Sequence, residues 1–354
     1  MSEKIFMKGA EALAEAVIRS GCRLFFGYPI TPQNETPEYF SRKLPLIGGT
    51  YLQAESEVAA INMVYGAACA GKRVFTSTSS PGFSLMQEGI SYISGSNVPA
   101  VVANIVRGGP GLGDIQPAQS DYFQATKGGG HGDYHLIVLA PSTVQEVVDL
   151  VPVAFDLADK YRMIVALLLD GILGQMMEAV EFKYDIKPED LPEKPWATTG
   201  AKGRPKNIIT SLDLRPEGLE KINLALQEKY KEIKEKEKRW EEYRCDDIEY
   251  LIVAFGTTGR IVKSVVDELR EEGIKVGLFR PITLWPFPYK ELEAFVDKVK
   301  FFLDVEMNLG QMLEDVNLAI KDKKPVFFYG RTGGMVPTVD EIKEFFKKKL
   351  EEVK

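Results

Sequence analysis

Short apolar runs alternate with helix-length amphipathic stretches from residue 23 to residue 170, and this alternation limits the fold more than any other feature. The runs include "KRVFTST" (72–78), "PAVVANIVR" (99–107), "HLIVLA" (135–140) and "MIVALLLD" (163–170). Between them, "ESEVAAINMVYGAACAG" reads as a helix rich in small residues and stopped by Gly71, and "PGFSLMQEGISYIS" as a helix with Pro81 in its first turn. A further helix runs from Ser142, a plausible N-cap, to about Lys160. A first helix over 7–20 ends at Gly21, with a strand from about Arg23. After it come a helical stretch near Pro37–Lys43 and a strand near Thr50–Leu52. Continuously apolar strands joined by helical crossovers imply an α/β, doubly wound, mostly parallel sheet.

Residues 171–246 differ in character. "KPEDLPEKPW" leads into "LALQEKYKEIKEKEKRWEEY", dense in both charges at i,i+4 spacing. This is either an exposed helix on a linker or an arm that grips a partner subunit. From Glu249 the alternation resumes with four strands and four helices, a smaller second α/β unit. The expected division is 1–180, a linker with a charged helix over 181–246, and 247–354.

Composition narrows the function. A net charge of −7 argues against nucleic-acid or anionic-membrane binding. No apolar run is long enough to span a bilayer, and the acidic start "MSEKIFMKGAEALAEAV" is no secretory signal, so a cytoplasmic location is expected. Three scattered cysteines, Cys22, Cys69 and Cys245, exclude a disulfide framework, a Cys-rich zinc site or an iron–sulfur cluster built from this chain alone.

"GYPITPQNET" (27–36) places two prolines three apart directly after a strand, at the sheet edge where open α/β folds bind ligands. Glu57 lies in phase with Ala60, Ile61, Val64, Ala67 and Ala68 on one helix face, a carboxylate on an apolar stripe. That placement suits a proton-sharing role; an acid satisfying the helix dipole is the alternative. Glu55 falls outside the stripe. Arg107 ends a strand and opens the glycine-rich "RGGPGLGDIQPAQSD", so it either clamps a carboxylate or phosphate or is a surface residue before a flexible loop. "KGGGHGDYH" (127–135) holds both histidines, but no helix survives four glycines. A flap over a site is expected there rather than a metal pair, and no residue of the chain is assigned to a metal. "AFGTTGR" (254–260) lacks the G-x-G-x-x-G spacing and reads as a plain strand–helix turn.

"GYPITP", "ESEVAAINMVYGAACAG", "STSSPGFSLMQEGISY" and "VRGGPGLGDIQPAQSD", in that order, resemble the α chain of thiamine diphosphate-dependent 2-oxoacid:ferredoxin oxidoreductases. The 108–134 region looks most like the branched-chain members acting on 3-methyl-2-oxobutanoate (2-oxoisovalerate). The resemblance implies a pyrimidine-binding-type domain followed by a transketolase C-terminal-type domain, the latter through "VAFGTTGRIV" and "LFRPITLWPFP". It further implies oxidative decarboxylation of a 2-oxoacid with CoA as acyl acceptor and electrons passing to ferredoxin. By the same resemblance Glu57 contacts the aminopyrimidine, Thr31 sits at the substrate end, Arg107 faces the substrate carboxylate, and Tyr28 and Pro29 shape the pyrimidine wall.

The chain has no "GDG" motif for diphosphate and Mg²⁺ and no Cys-x-x-Cys-x-x-Cys. The implied partners are therefore a β subunit supplying the diphosphate half, a ferredoxin-like δ subunit with the iron–sulfur clusters, and a γ subunit. Two readings stand beside this one: a 2-oxoglutarate-specific α subunit, and a non-catalytic scaffold of the same fold. A nucleotide-binding module would need a phosphate loop that is not visible.

Overall fold

The computed structural model describes residues 4–353. The first unit runs β1 (Ile5–Lys8), α1 (Gly9–Arg19), β2 (Leu24–Gly27), α2 (Glu35–Lys43), β3 (Thr50–Gln53), α3 (Glu57–Cys69), β4 (Val74–Thr78) and α4 (Ser80–Gly95). It continues β5 (Ala100–Val106), α5 (Tyr122–Thr126), β6 (Ile137–Leu139), α6 (Val144–Tyr161), β7 (Ile164–Asp170), α7 (Gly171–Gln175) and β8 (Met177–Val180). A long helix α8 (Pro216–Lys236) and a strand β9 (Trp240–Tyr243) lead to the second unit. That unit comprises β10 (Tyr250–Val253), α9 (Gly256–Glu271), β11 (Val276–Pro281), β12 (Thr283–Trp285), α10 (Tyr289–Glu293), β13 (Phe301–Glu306), α11 (Met312–Ile320), β14 (Val326–Gly330) and α12 (Val339–Glu352).

The expected parallel sheet is present, in the order β12-β6-β7-β5-β4-β2-β3. Every residue of β5 and β7 is buried, as strands covered by helices on both faces must be. The chain leaves β2 toward β3 on one side and β4 toward β5 on the other, so the topological switch point lies between the ends of β2 and β4. The second sheet, β14-β13-β10-β11-β9, has its own switch point between β10 and β13.

Four short strands escaped the sequence reading. β1 pairs antiparallel with β8, β9 joins β11 from within the charged segment, and β12 returns from the second unit to pair antiparallel with β6. Each is an edge strand whose partner is remote in sequence, so no local pattern marks it. The cap of α6 is Thr143 rather than Ser142: its hydroxyl accepts from the Glu146 N–H at 3.0 Å. Glu146 reaches back instead to the Ser142 N–H and O–H.

One hydrophobic core runs through both units, from Val17 and Phe75 to Phe255 and Leu284. Fully buried Arg280 on β11 donates to Glu146 of α6 and to Glu241 of β9 (2.6 Å), an ionic tie between the units. No helix among the described residues is long and apolar enough to cross a membrane.

Candidate active site at the first switch point

The proline loop after β2 is stiffened by its sixth residue. Gln33, fully buried, accepts the Ser77 hydroxyl of β4 at 2.6 Å and donates to the Tyr28 carbonyl at 3.3 Å. It thereby stitches the loop across the switch point. Tyr28 is half-buried, while Pro29 and Thr31 stay exposed on the outer side of the loop.

On the other flank, Ser56 caps α3 by accepting the Ala59 N–H at 3.2 Å, which places Glu57 in the first helical turn. The structure buries Glu57 with Ala60, Ile61, Val64 and Ala68, as the stripe implied. Among the described residues its carboxylate, 5% exposed, has no hydrogen-bond or ion-pair partner. It faces Gly82 of α4, where a β-carbon would run into the Glu57 carboxylate and the Thr78 hydroxyl. One helical face further on, Gly89 leaves room for Ile61, so two glycines seven apart let α3 and α4 approach closely. The Thr78 and Ser79 hydroxyls beside Gly82 are also buried without partners. Buried hydroxyls left unsatisfied in this way cost about 1–3 kcal/mol each unless something binds them.

Arg107 is brought to the start of α4, two residues before Gly82. Its N–H donates to the Ser80 hydroxyl (3.0 Å) at the start of α4. Its guanidinium donates to the Thr31 carbonyl (2.9 Å) and to the Leu112 carbonyl (3.0 Å) of the glycine-rich loop. Nε remains buried and unpartnered. Arg107 is therefore not a surface residue before a flexible loop. It ties the two loops together and keeps its Nε–H free.

Two cavities flank this knot. One of about 550 Å³ is lined by Thr31, Glu35, Gln116 and Ile172; another of about 430 Å³ by Ser80, Arg107, Asp121, Asn308 and Thr332. Glu57 lines neither of them. Asp121 is held by Asn104 Nδ2 at 2.8 Å, and Asn104 in turn accepts the Ser80 N–H at 2.9 Å. Burial pushes the Asp121 carboxyl up, against those hydrogen bonds. Sequence reading missed Gln33, Asn104, Asp121 and Gly82. For the first three the partners lie across the sheet and leave no local signal, whereas the Gly82–Gly89 spacing was readable.

The second sheet's crevice is already filled. Gln119, from the loop after β5, donates to the Phe255 carbonyl (2.9 Å) and accepts the Met307 N–H (3.0 Å) between β10 and β13. Of the two histidines, His131 is exposed and His135 stacks on Trp285 with centroids 4.6 Å apart. In the 127–135 loop Gly129 and Gly130 pack on Gln87 of α4, Gly129 also meets Gln124 at the rim of the cavity beside Arg107, and residues 132–135 line a separate cavity with α8.

Residues 15–245 match the family model described as pyruvate flavodoxin/ferredoxin oxidoreductase, thiamine diphosphate-binding. The chain belongs to this family. Residues 248–342 match its companion, the pyruvate:ferredoxin oxidoreductase core domain II. As a pyruvate flavodoxin/ferredoxin oxidoreductase family member the chain is 49% identical to the ketoisovalerate oxidoreductase subunit VorB of Methanothermobacter marburgensis, over 93% of each chain. It is 38% identical to the 2-oxoglutarate synthase subunit KorA of Methanocaldococcus jannaschii, over 95% of this chain and 97% of that one. Among solved structures it superposes on a 2-oxoglutarate:ferredoxin oxidoreductase from Magnetococcus marinus, in complex with 2-oxoglutarate, coenzyme A and succinyl-CoA, at a TM-score of 0.86 and 30% identity. That match covers 100% of this chain and 66% of that one. A split-gene transketolase shares the fold alone, at a TM-score of 0.62 and 13% identity. The chain is thus a subunit of a 2-oxoacid:ferredoxin oxidoreductase, with the α/β architecture that the resemblance implied.

The chemistry of these groups, rather than an open cavity at Glu57, is of the kind one half of thiamine diphosphate would use. A buried acceptor on α3, two free hydroxyls and a glycine where a side chain would obstruct suit a flat, hydrogen-bonding pyrimidine. For the diphosphate, no group of three or more His, Cys, Asp or Glu able to hold a metal occurs among the described residues.

Proposed function

We propose that the chain is the α subunit of a branched-chain 2-oxoacid:ferredoxin oxidoreductase acting on 3-methyl-2-oxobutanoate. The observation that carries the reading is the partnerless Glu57 carboxylate, buried at the switch point against Gly82. Glu57 would accept a hydrogen bond from the aminopyrimidine ring and hold the proton that the ring exchanges. Tyr28 and Pro29 would wall the ring. Thiamine diphosphate, when bound, supplies the electron sink for decarboxylation. Thr31 would sit at the substrate end, and Arg107 would face the substrate carboxylate with its unspent Nε.

In this reading CO₂ leaves, CoA takes the acyl group, and electrons travel through iron–sulfur clusters on a ferredoxin-like δ subunit to ferredoxin. A β subunit supplies the Mg²⁺ and diphosphate half, and a γ subunit completes a cytoplasmic complex. The division into 1–180, 181–246 and 247–354 belongs to the same reading. The relatives named for ketoisovalerate, at 48–49% identity, favour the branched-chain substrate over 2-oxoglutarate, whose named relatives stand at 35–38%. A screen of 2-oxoacids against the co-purified complex, read by reduction of a redox dye, tests this. The highest kcat/KM is expected for 3-methyl-2-oxobutanoate; a preference for 2-oxoglutarate would reassign the substrate, and no turnover of any 2-oxoacid would support a scaffold.

A further inference from the structure

Asp304 lies on β13 in the middle of the second sheet, fully buried, and neither of its carboxyl oxygens meets a donor among the described residues. Its register neighbours are Val253 on β10 and Phe328 on β14, which have no polar side-chain atoms. Two residues on, along the same face of the strand, stands Glu306, equally buried. Glu306 has three of its roughly four acceptor sites filled. It accepts from Asn308 Nδ2 (2.7 Å), the Met312 N–H (2.9 Å) and the Leu313 N–H (3.1 Å).

An ionised carboxylate buried without a donor costs several kcal/mol, and two adjoining buried carboxylates do not both ionise. Burial pushes both carboxyls up, and the charge of Glu306 raises Asp304 further. The other titratable groups on this side are engaged with one another. Asp315 of α11 accepts from the hydroxyls of Tyr122 (2.6 Å, α5) and Tyr289 (2.5 Å, α10) and from Lys127 Nζ (2.5 Å). Asp304 is left as the acid, with Glu306 as the group that receives its O–H.

Glu306 also roots the turn that grips the first unit. Asn308 Nδ2 donates to the Gln119 carbonyl (2.9 Å), and Gln311 donates to the Ser120 carbonyl (2.7 Å) while accepting the Phe123 N–H (2.9 Å). The segment held in this way, 119–123, carries Asp121 in the cavity beside Arg107.

We propose that Asp304 and Glu306 share one proton and act as a positioning pair, fixing the 307–313 turn and with it the Ser120–Asp121 wall of the cavity beside Arg107. The claim about the wall rests on reading that cavity as part of the substrate site; the shared proton does not. Taking the proton away leaves two buried negative charges side by side and loosens the turn. Above the ordinary carboxyl range the unfolded chain has released this proton and the folded chain has kept it. The pair's contribution to stability therefore declines as pH rises from that range until the folded pair itself ionises.

The test compares the purified multisubunit complex with its Asp304→Asn variant, whose amide donates to Glu306 at every pH. Infrared spectroscopy at neutral pH is expected to show a protonated-carboxyl band that Asp304→Asn removes. Asp304→Asn should keep the neutral-pH kcat and KM but lose much of the alkaline fall in melting temperature and in kcat/KM. Asp304→Val, without a donor, should raise KM for the 2-oxoacid. Absence of an Asp304-dependent band, or an Asp304→Asn variant with the wild-type pH dependence of melting, would overturn the shared proton. A flattened melting profile with an unchanged kcat/KM profile would keep the proton and overturn its positioning role, leaving the assignment of Arg107 to its own variant.

Discussion

The guanidinium of Arg107, 7% exposed, divides its donors between structure and solvent-excluded space. Two N–H groups meet the Thr31 and Leu112 carbonyls, and Nε meets nothing. A lysine ammonium cannot hold two loops in that fork and also present a third donor, so Arg107→Lys is not conservative here. Losing one hydrogen bond to a charged group costs about 1.5–3 kcal/mol. Arg107→Lys is accordingly expected to lower the melting temperature of the complex and to cut kcat/KM for the 2-oxoacid about ten- to a hundredfold. Both are to be measured on one preparation. A lower melting temperature with unchanged kcat/KM would confine Arg107 to bracing the loops. From the sequence, the placing of Arg107 at a strand end before a glycine-rich loop was legible. Its carbonyl partners were not, because the Leu112 carbonyl is aimed by a loop fold in which the Asp114 N–H donates to the Gly108 carbonyl at 2.9 Å.

The helices α3 and α4 set the depth of the site through their glycines. Gly82→Ala would push a methyl group against Glu57 and Thr78, and overpacking of that kind typically costs about 1–3 kcal/mol. It should reduce turnover sharply, because the intrusion lies where the pyrimidine is proposed to sit. Gly66, on the outer face of α3, has open space where a β-carbon would stand, so Gly66→Ala should stabilise the helix by about 0.5–1 kcal/mol and leave turnover alone. Equal effects from the two substitutions in thermal melting and dye reduction would contradict this account of the helix pair. The buried strands β5 and β7 and the amphipathic helices α1, α6 and α9 were legible, because both faces or one stripe had to be apolar. Strands β1, β8, β9 and β12 were not, since three or four residues at a sheet edge become strand only through a distant partner.

At the scale of the molecule, the two units carry one crevice each. Gln119 occupies the second, Arg280 ties β11 to α6, and one hydrophobic cluster is shared by both units while a second, around Val265 and Phe346, belongs to the second unit. The first crevice was legible in outline from the proline loop, the acid on the apolar stripe and the strand-end arginine. Its convergence on the start of α4 was not, because Ser80 and Asn104 join these parts across the sheet. In the proposed reading a β subunit holds the diphosphate, and among the described residues no group of three or more His, Cys, Asp or Glu could hold its metal, so the isolated chain is expected to bind thiamine diphosphate with Mg²⁺ weakly. Calorimetry that found micromolar or tighter binding without partner subunits would contradict a site shared between chains. The most direct test of the central claim is the Glu57→Gln variant in the reconstituted complex, with Glu55→Gln as its control. Dye reduction by the 2-oxoacid at saturating cofactor should fall by about 10²-fold or more, the scale of a lost proton-transfer group, while assembly and melting temperature hold. Near-normal turnover in Glu57→Gln would remove Glu57 from the chemistry.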